Sequence, residues 1–143
     1  MPRGARAVVF TEGVKLPFSK EKAVRYAEKI LSILGGKVRV LREAKGKGGR
    51  ICILFADDAR IRRLNKRYGK KNKSTDVLAF ETGDIIISAE TAARNSRGFG
   101  STPADELKLY MIHGILHLSG YDDTTSPKRK AMRIMEERVL KRL

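Results

Sequence analysis

The sequence predicts an α+β fold, a small mixed sheet with helices packed around it and one apolar helix at its centre. Three observations carry this. Apolar residues recur at helical spacing in five segments, and five shorter runs have the apolar or alternating pattern of strands. Both histidines of the chain, His113 and His117, lie four apart in the most apolar of the helical segments. At 143 residues the chain is expected to form one domain over 1–143, burying roughly two thirds of its extended surface.

In order, 7–10 reads as a short strand. Ser19 N-caps a helix whose core positions are Ala23, Ala27, Ile30 and Leu34, ended by Gly35-Gly36. Val38 and Val40 alternate with basic residues, so 37–44 is expected to be a strand with a wet face or at an edge. The glycine-rich basic stretch 45–49 is a loop and not a phosphate-cradling one, because a GKS or GKT ending and a following helix are missing. Residues 50–55 read as a central strand covered on both sides, with Cys52 a buried packing residue in a reducing compartment. Asp57 or Asp58 caps the next helix, with Ile61, Leu64 and Tyr68 inward. A loop at 69–74 and strands at 76–80 and 83–88 follow. Ser88 caps a helix over 89–97 or lines a cleft, and 98–102 is a loop. Thr102 as N-cap and Pro103 at N1 start the histidine helix, with Leu107, Met111, Gly114, Ile115 and Leu118 facing the core. The last helix begins at Ser126-Pro127 and packs through Met132, Met135 and Val139.

Residues four apart on a helix lie one turn above each other, so both imidazoles can reach one ion. Gly120 permits a turn, after which Asp123 brings a carboxylate. Two nitrogens and one oxygen, with a fourth position left for water or substrate, form a catalytic zinc set. The plainer alternative is a pair of histidines satisfied in the core or at the surface. Where a zinc protease motif has its general-base Glu directly after the first His, this chain has Gly114. Gly114 either leaves room at the metal or permits close packing. Glu106, seven residues before His113, is on the same face and either orients a ligand or is simply solvated.

The run His113-Gly114-Ile115-Leu116-His117-Leu118-Ser119-Gly120-Tyr121-Asp122-Asp123 resembles HGxLHLxGYDH, the signature of the YbeY family of bacterial metal-dependent endoribonucleases. Leu64-Asn65 with Tyr68, Ser74-Thr75-Asp76-Val77-Leu78-Ala79-Phe80 and Gly83-Asp84-Ile85-Ile86-Ile87-Ser88 are similar to further family segments, and the likeness runs from about residue 51 onward. It departs at Asp123, where the family usually has His, and at Gly69, where it often has an Arg tied to catalysis or substrate grip. A carboxylate can replace an imidazole on zinc; Arg67, Lys70 or Lys71 is expected to supply the missing charge. The resemblance implies a mostly parallel sheet and one zinc ion per chain on His113, His117 and Asp123. It also implies cleavage of single-stranded RNA in ribosomal RNA 3′-end maturation and ribosome quality control, with the ribosome or its small subunit as partner. Either water or the RNA's own 2′-OH serves as nucleophile.

Charge agrees with a polyanionic partner. Lys and Arg number 31 against 16 acids, a net +15. Between residues 37 and 75 the balance is 14 basic to three acidic. Arg60, Arg63, Arg67, Lys70, Lys71 and Lys73 are therefore the candidate RNA contacts. No apolar run reaches the roughly 18 residues a membrane span needs, and the first ten residues lack a leader's apolar stretch, so a cytoplasmic protein with no membrane partner is expected. Two rival functions share these residues: a metalloprotease or other zinc hydrolase, which the charge and Gly114 disfavour, and a non-catalytic RNA or ribosome-binding factor with structural zinc.

Overall fold

The computed structural model describes residues 6–35, 38, 49–68 and 76–143. The elements are β1 (Ala7–Glu12), α1 (Lys20–Leu34), β2 (Ile51–Ala56), α2 (Asp58–Tyr68), β3 (Val77–Ala79), β4 (Asp84–Ser88), α3 (Ala89–Phe99), α4 (Pro103–Leu118) and α5 (Ser126–Lys141). The strand expected over 37–44 lies outside the described residues except for Val38, as do most of the loop at 45–49 and all of 69–75. Lys70, Lys71 and Lys73 are among these.

The fold is α+β, with a mixed and mostly parallel sheet in the order β1-β2-β4-β3. β1 and β4 run parallel to β2 on either side of it, in registers that place Ala7 against Ile51 and Cys52 against Asp84. β3 returns antiparallel on β4, with Leu78 opposite Ile86. A tight turn joins them: the Gly83 N–H donates to the Phe80 carbonyl at 2.9 Å. Gly83 has φ +94°, in the region that favours glycine.

Side chains alternate across a sheet, and here the alternation separates two unlike faces. Ile51, Ile53, Phe55, Ile85 and Ile87 point to a front face, where they join α1, α4 and the Met132 and Val139 positions of α5 in one core. The neighbours Leu54, Ala56 and Ile86 point to the back, where α2 covers them with Ile61 and Leu64. That cover is partial. Cys52 and Leu54 are only half-buried, and with Phe10, Leu64, Phe80 and Ile86 they line an apolar groove of about 580 Å³. The expectation of a strand covered on both sides, with Cys52 buried, is thus corrected. An apolar run such as Ile-Cys-Ile-Leu-Phe does not say how much of a second face a single helix will reach.

The expected caps form. Ser19, Ser88 and Thr102 accept hydrogen bonds from the backbone N–H of Lys22, Thr91 and Asp105. Asp57 accepts from Arg60 at the start of α2. α3 runs on through Gly98 to Phe99 and ends at Gly100 with φ +70°, so the loop expected over 98–102 is shorter. Ser88 is a cap and not part of a cleft. It is fully buried and also donates to Asp58, which receives Thr91 Oγ1 at 2.9 Å and pairs with Arg94 at 2.7 Å. These bonds lock the start of α2 to the start of α3.

α4 is the central helix. It touches α1, α3, α5, β3 and β4. Tyr110, Met111, Ile112, Gly114, Ile115 and Leu116 are all buried, so its second half has scarcely any polar face apart from the two histidines. Gly114 is where it meets the sheet: a Cβ there would fall 2.7 Å from Ile85 Cγ2 and 3.3 Å from Val77 Cγ1. Of the two reasons expected for this glycine, close packing is the one found. It brings the helix within reach of β4 and β3, with the histidines on its exposed margin.

Candidate metal centre

His113 and His117 are the half-buried interruptions in the apolar C-terminal half of α4, and their Nε2 atoms lie 3.1 Å apart. The chain after α4 is folded to return a carboxylate to them. Ser119 Oγ donates to the Ile115 carbonyl at 3.0 Å, and the Tyr121 N–H donates to the Leu116 carbonyl at 3.1 Å. Gly120, at φ +98°, makes the reversal. Asp122 is spent on the turn itself, accepting from the N–H and hydroxyl of Thr124 at 3.1 and 2.8 Å. Asp123 is left to face the histidines, its Oδ2 4.0 Å from His113 Nε2. All three ligand atoms lie within 4.8 Å of one another.

The remaining support comes from α5. Glu136 Oε2 lies 2.5 Å from His113 Nδ1. An imidazole that donates Nδ1–H to a carboxylate presents a lone pair on Nε2 and is fixed in orientation. Burial opposes a charge on His113, but the Glu136 hydrogen bond and the carboxylates of Glu136, Asp76 and Asp123 outweigh it and raise the pKa above the ordinary value. His117 is pushed the other way, by burial and then by the charge of His113, against the pull of Asp123 and a hydrogen bond with the Tyr121 backbone.

The donor set fits zinc. The two Nε2 atoms, 3.1 Å apart, share a hydrogen bond when one is protonated, and both present lone pairs to a cation when neither is. Two nitrogens on one tetrahedral zinc, each at 2.0–2.1 Å, stand roughly 3.3 Å apart. Asp123 stands wider, at 4.0 Å from His113 Nε2, with its side chain 52% exposed. The centre opens into a cleft of about 230 Å³ lined by His113, Asp123, Arg129, Met132, Arg133 and Glu136.

Of the expected site residues, the structure brings His113, His117 and Asp123 together. Glu106 is elsewhere: it accepts a hydrogen bond from Ser101 Oγ at 3.0 Å, and the carboxylate at His113 is Glu136. Arg63 and Arg67 are exposed on α2, behind the sheet from the histidines. Arg60 is held by Asp57 at 2.5 Å and Glu12 at 3.3 Å. Sequence reasoning missed Glu136, Arg129 and Arg133. The signal was their spacing with Met132, positions i, i+3, i+4 and i+7 on one helix face.

The chain resembles known proteins along most of its length. A family model described as endoribonuclease YbeY matches residues 10–143. A protein of Aquifex aeolicus named endoribonuclease YbeY is 37% identical over 135 residues, covering 87% of this chain and 83% of the relative. One of the same name from Desulforamulus reducens is 33% identical over 141 residues, covering 86% and 92%. A solution structure of a Thermotoga maritima protein superimposes with a TM-score of 0.54 at 25% identity, over 94% of this chain and 86% of the other.

Proposed function

The chain belongs to the YbeY family of endoribonucleases, and from that premise we propose that it cuts single-stranded RNA with one zinc ion held by His113, His117 and Asp123. The observation that carries the reading is the pair of Nε2 atoms converging at 3.1 Å beside a returning carboxylate, in an open cleft. Bound there, zinc supplies a Lewis acid for a water or for the phosphoryl oxygen. His113 is oriented by Glu136, His117 by the turn at Tyr121, and Asp123 by the short loop anchored on Asp122. The substrate in this reading is the single-stranded 3′ region of ribosomal RNA, and the setting is maturation and quality control of the ribosome or its small subunit in the cytoplasm. Consistent with that, no helix among the described residues is long and apolar enough to cross a membrane. The domain is the whole chain, 1–143.

Of the rival readings, structural zinc fits less well. Structural sites are closed by four protein ligands, whereas the described residues offer three and leave the cluster open. A protease reading has no Glu after His113 to serve as base.

The test is cleavage of a ribosomal RNA fragment with a single-stranded 3′ tail by wild type and His117→Ala, each with zinc content measured. Wild type should cut and bind one zinc per chain. The variant should lose both, with activity down by at least about a hundredfold. Cleavage that survives loss of the metal would move the chemistry to another site. RNA binding without cleavage by either protein would favour a binding factor.

A further inference from the structure

Among the described residues, the ligand cluster itself carries carboxylates and no Lys or Arg. Asp76, Asp123 and Glu136 all act on His113, so a polyanion approaching it meets carboxylates. Most of the arginines found paired in the structure are committed away from the cleft. Arg60 is held by Asp57 and Glu12, Arg94 by Asp58, and Arg6 by Glu28. α5 differs. Met132, 2% exposed, anchors one of its faces in the core, and Arg129, Arg133 and Glu136 flank that anchor on the cleft. Arg133 is exposed and makes no ion pair or hydrogen bond among the described residues. Arg129 uses one donor, Nη1, on the Asp123 carbonyl at 3.2 Å, which leaves most of its guanidinium fork and pins the backbone of the ligand loop.

We propose that Arg129 and Arg133 hold the phosphates of the RNA strand beside the bond to be cut. This rests on the endoribonuclease reading above and assigns its phosphate grip to the last helix, in place of the basic ridge on α2. An arginine fork binds phosphate oxygens bidentately without reading base sequence. Two forks one helical turn apart suit successive phosphates of an unpaired strand. The Arg129 bond to the Asp123 carbonyl makes it a positioning residue for the loop as well.

The experiment uses the full-length zinc-loaded protein and a short, unstructured 2′-O-methyl RNA oligonucleotide, which denies the 2′-OH route. Anisotropy gives Kd across a series of KCl concentrations. Arg133→Gln should weaken binding roughly tenfold and reduce the salt slope by about 0.7, as loss of one phosphate contact on a single strand does. Arg133→Lys should recover most of that slope. Arg129→Gln should do the same as Arg133→Gln, with a measurable drop in zinc affinity from the loosened Asp123 loop. With cleavable RNA, Arg133→Gln should raise KM more than it lowers kcat.

If Arg133→Gln and Arg129→Gln bind as wild type while Arg63→Gln with Arg67→Gln does not, the grip is on α2 and the proposal is wrong. A wild type that binds and cuts RNA with all these variants unaffected also overturns it, leaving the endoribonuclease reading intact. A wild type that neither binds nor cuts overturns both.

Discussion

The two faces of the sheet are made from alternate residues of the same strands, yet they differ in almost every other respect. In β4, Ile85 and Ile87 disappear into the front core while Ile86, between them, meets the back face under α2. The front is closed by α1, α4 and α5 and carries the ligand cluster. The back is half-covered by one helix, leaves Phe10 54% exposed, and has the dense arginines and lysines of α2 above it. Among the described residues, abundance of charge in the sequence is therefore a poor guide to charge at the site. The cations that line the cleft, among the described residues, are two arginines of the last helix, separated in sequence from the basic stretch that dominates the composition.

Removing the support that the front face gives its histidines should separate the faces most clearly. Glu136→Gln keeps the shape of the side chain and removes the carboxylate that fixes His113. Zinc affinity should fall about tenfold to a hundredfold, as measured by competition with a chromogenic chelator, with the fold retained. The metal-free protein adds a check of sign. Because the folded pKa of His113 is raised, its pairing with Glu136 stabilises the fold fully below the unfolded value near 6.5 and loses that effect as pH rises through the folded pKa. Glu136→Gln should flatten this part of the stability profile. A variant with wild-type zinc affinity would show that Glu136 is incidental to the centre.

A smaller effect is expected at the clamp that joins the faces. Asp58, at the start of α2, receives Ser88, the N-cap of α3, and Thr91 of α3, and pairs with Arg94. Burial alone would raise its pKa, but those hydrogen bonds and the Arg94 charge outweigh it and hold it below the ordinary carboxylate value. Its contribution is present above the unfolded pKa near 3.9 and is lost as pH falls through the folded value. Asp58→Asn should cost about 1–2 kcal/mol at neutral pH by urea unfolding, with the difference from wild type shrinking below about pH 4. A constant difference across that range would assign the loss to geometry and not to charge.

What could be read before the structure follows the same division. His113 and His117 were legible because helical spacing is local, and Asp123 because Gly120 allows the chain to turn back within three residues. Gly114 was visible as a costly helix residue, but the contact with Ile85 that explains it is tertiary. Glu136, Arg129 and Arg133 were not found because their place depends on how α5 docks on α4, which no short-range period encodes. The one clue was a stripe of four residues on a helix whose other positions are also basic. β2 was misread for a related reason. Its apolar run is compatible with cover on both sides, and only the reach of α2 decides that Cys52 and Leu54 remain half-open.

The back face should be the tolerant one, and Phe10 tests that at its most exposed apolar point. Phe10 is on β1, at the edge of the sheet formed by the described residues, and lines the groove with Leu54 and Phe80. Phe10→Ser leaves the β1–β2 pairing of Phe10 with Leu54 in place, since the backbone makes it. With more than half of the side chain already in water, stability should change by no more than about 0.5 kcal/mol. Zinc content and RNA affinity should be unchanged, because the sheet backbone and the whole front core lie between Phe10 and His113. Thermal melting, a zinc assay and the same anisotropy titration check all three. A loss of RNA affinity with melting and zinc unaffected would place the back face in contact with the substrate and remove the asymmetry between the two sides. A loss of zinc with the fold intact would mean that strain in β1 reaches α4 through Ile53 and Ile85, which would make the sheet a coupling element and not only a wall.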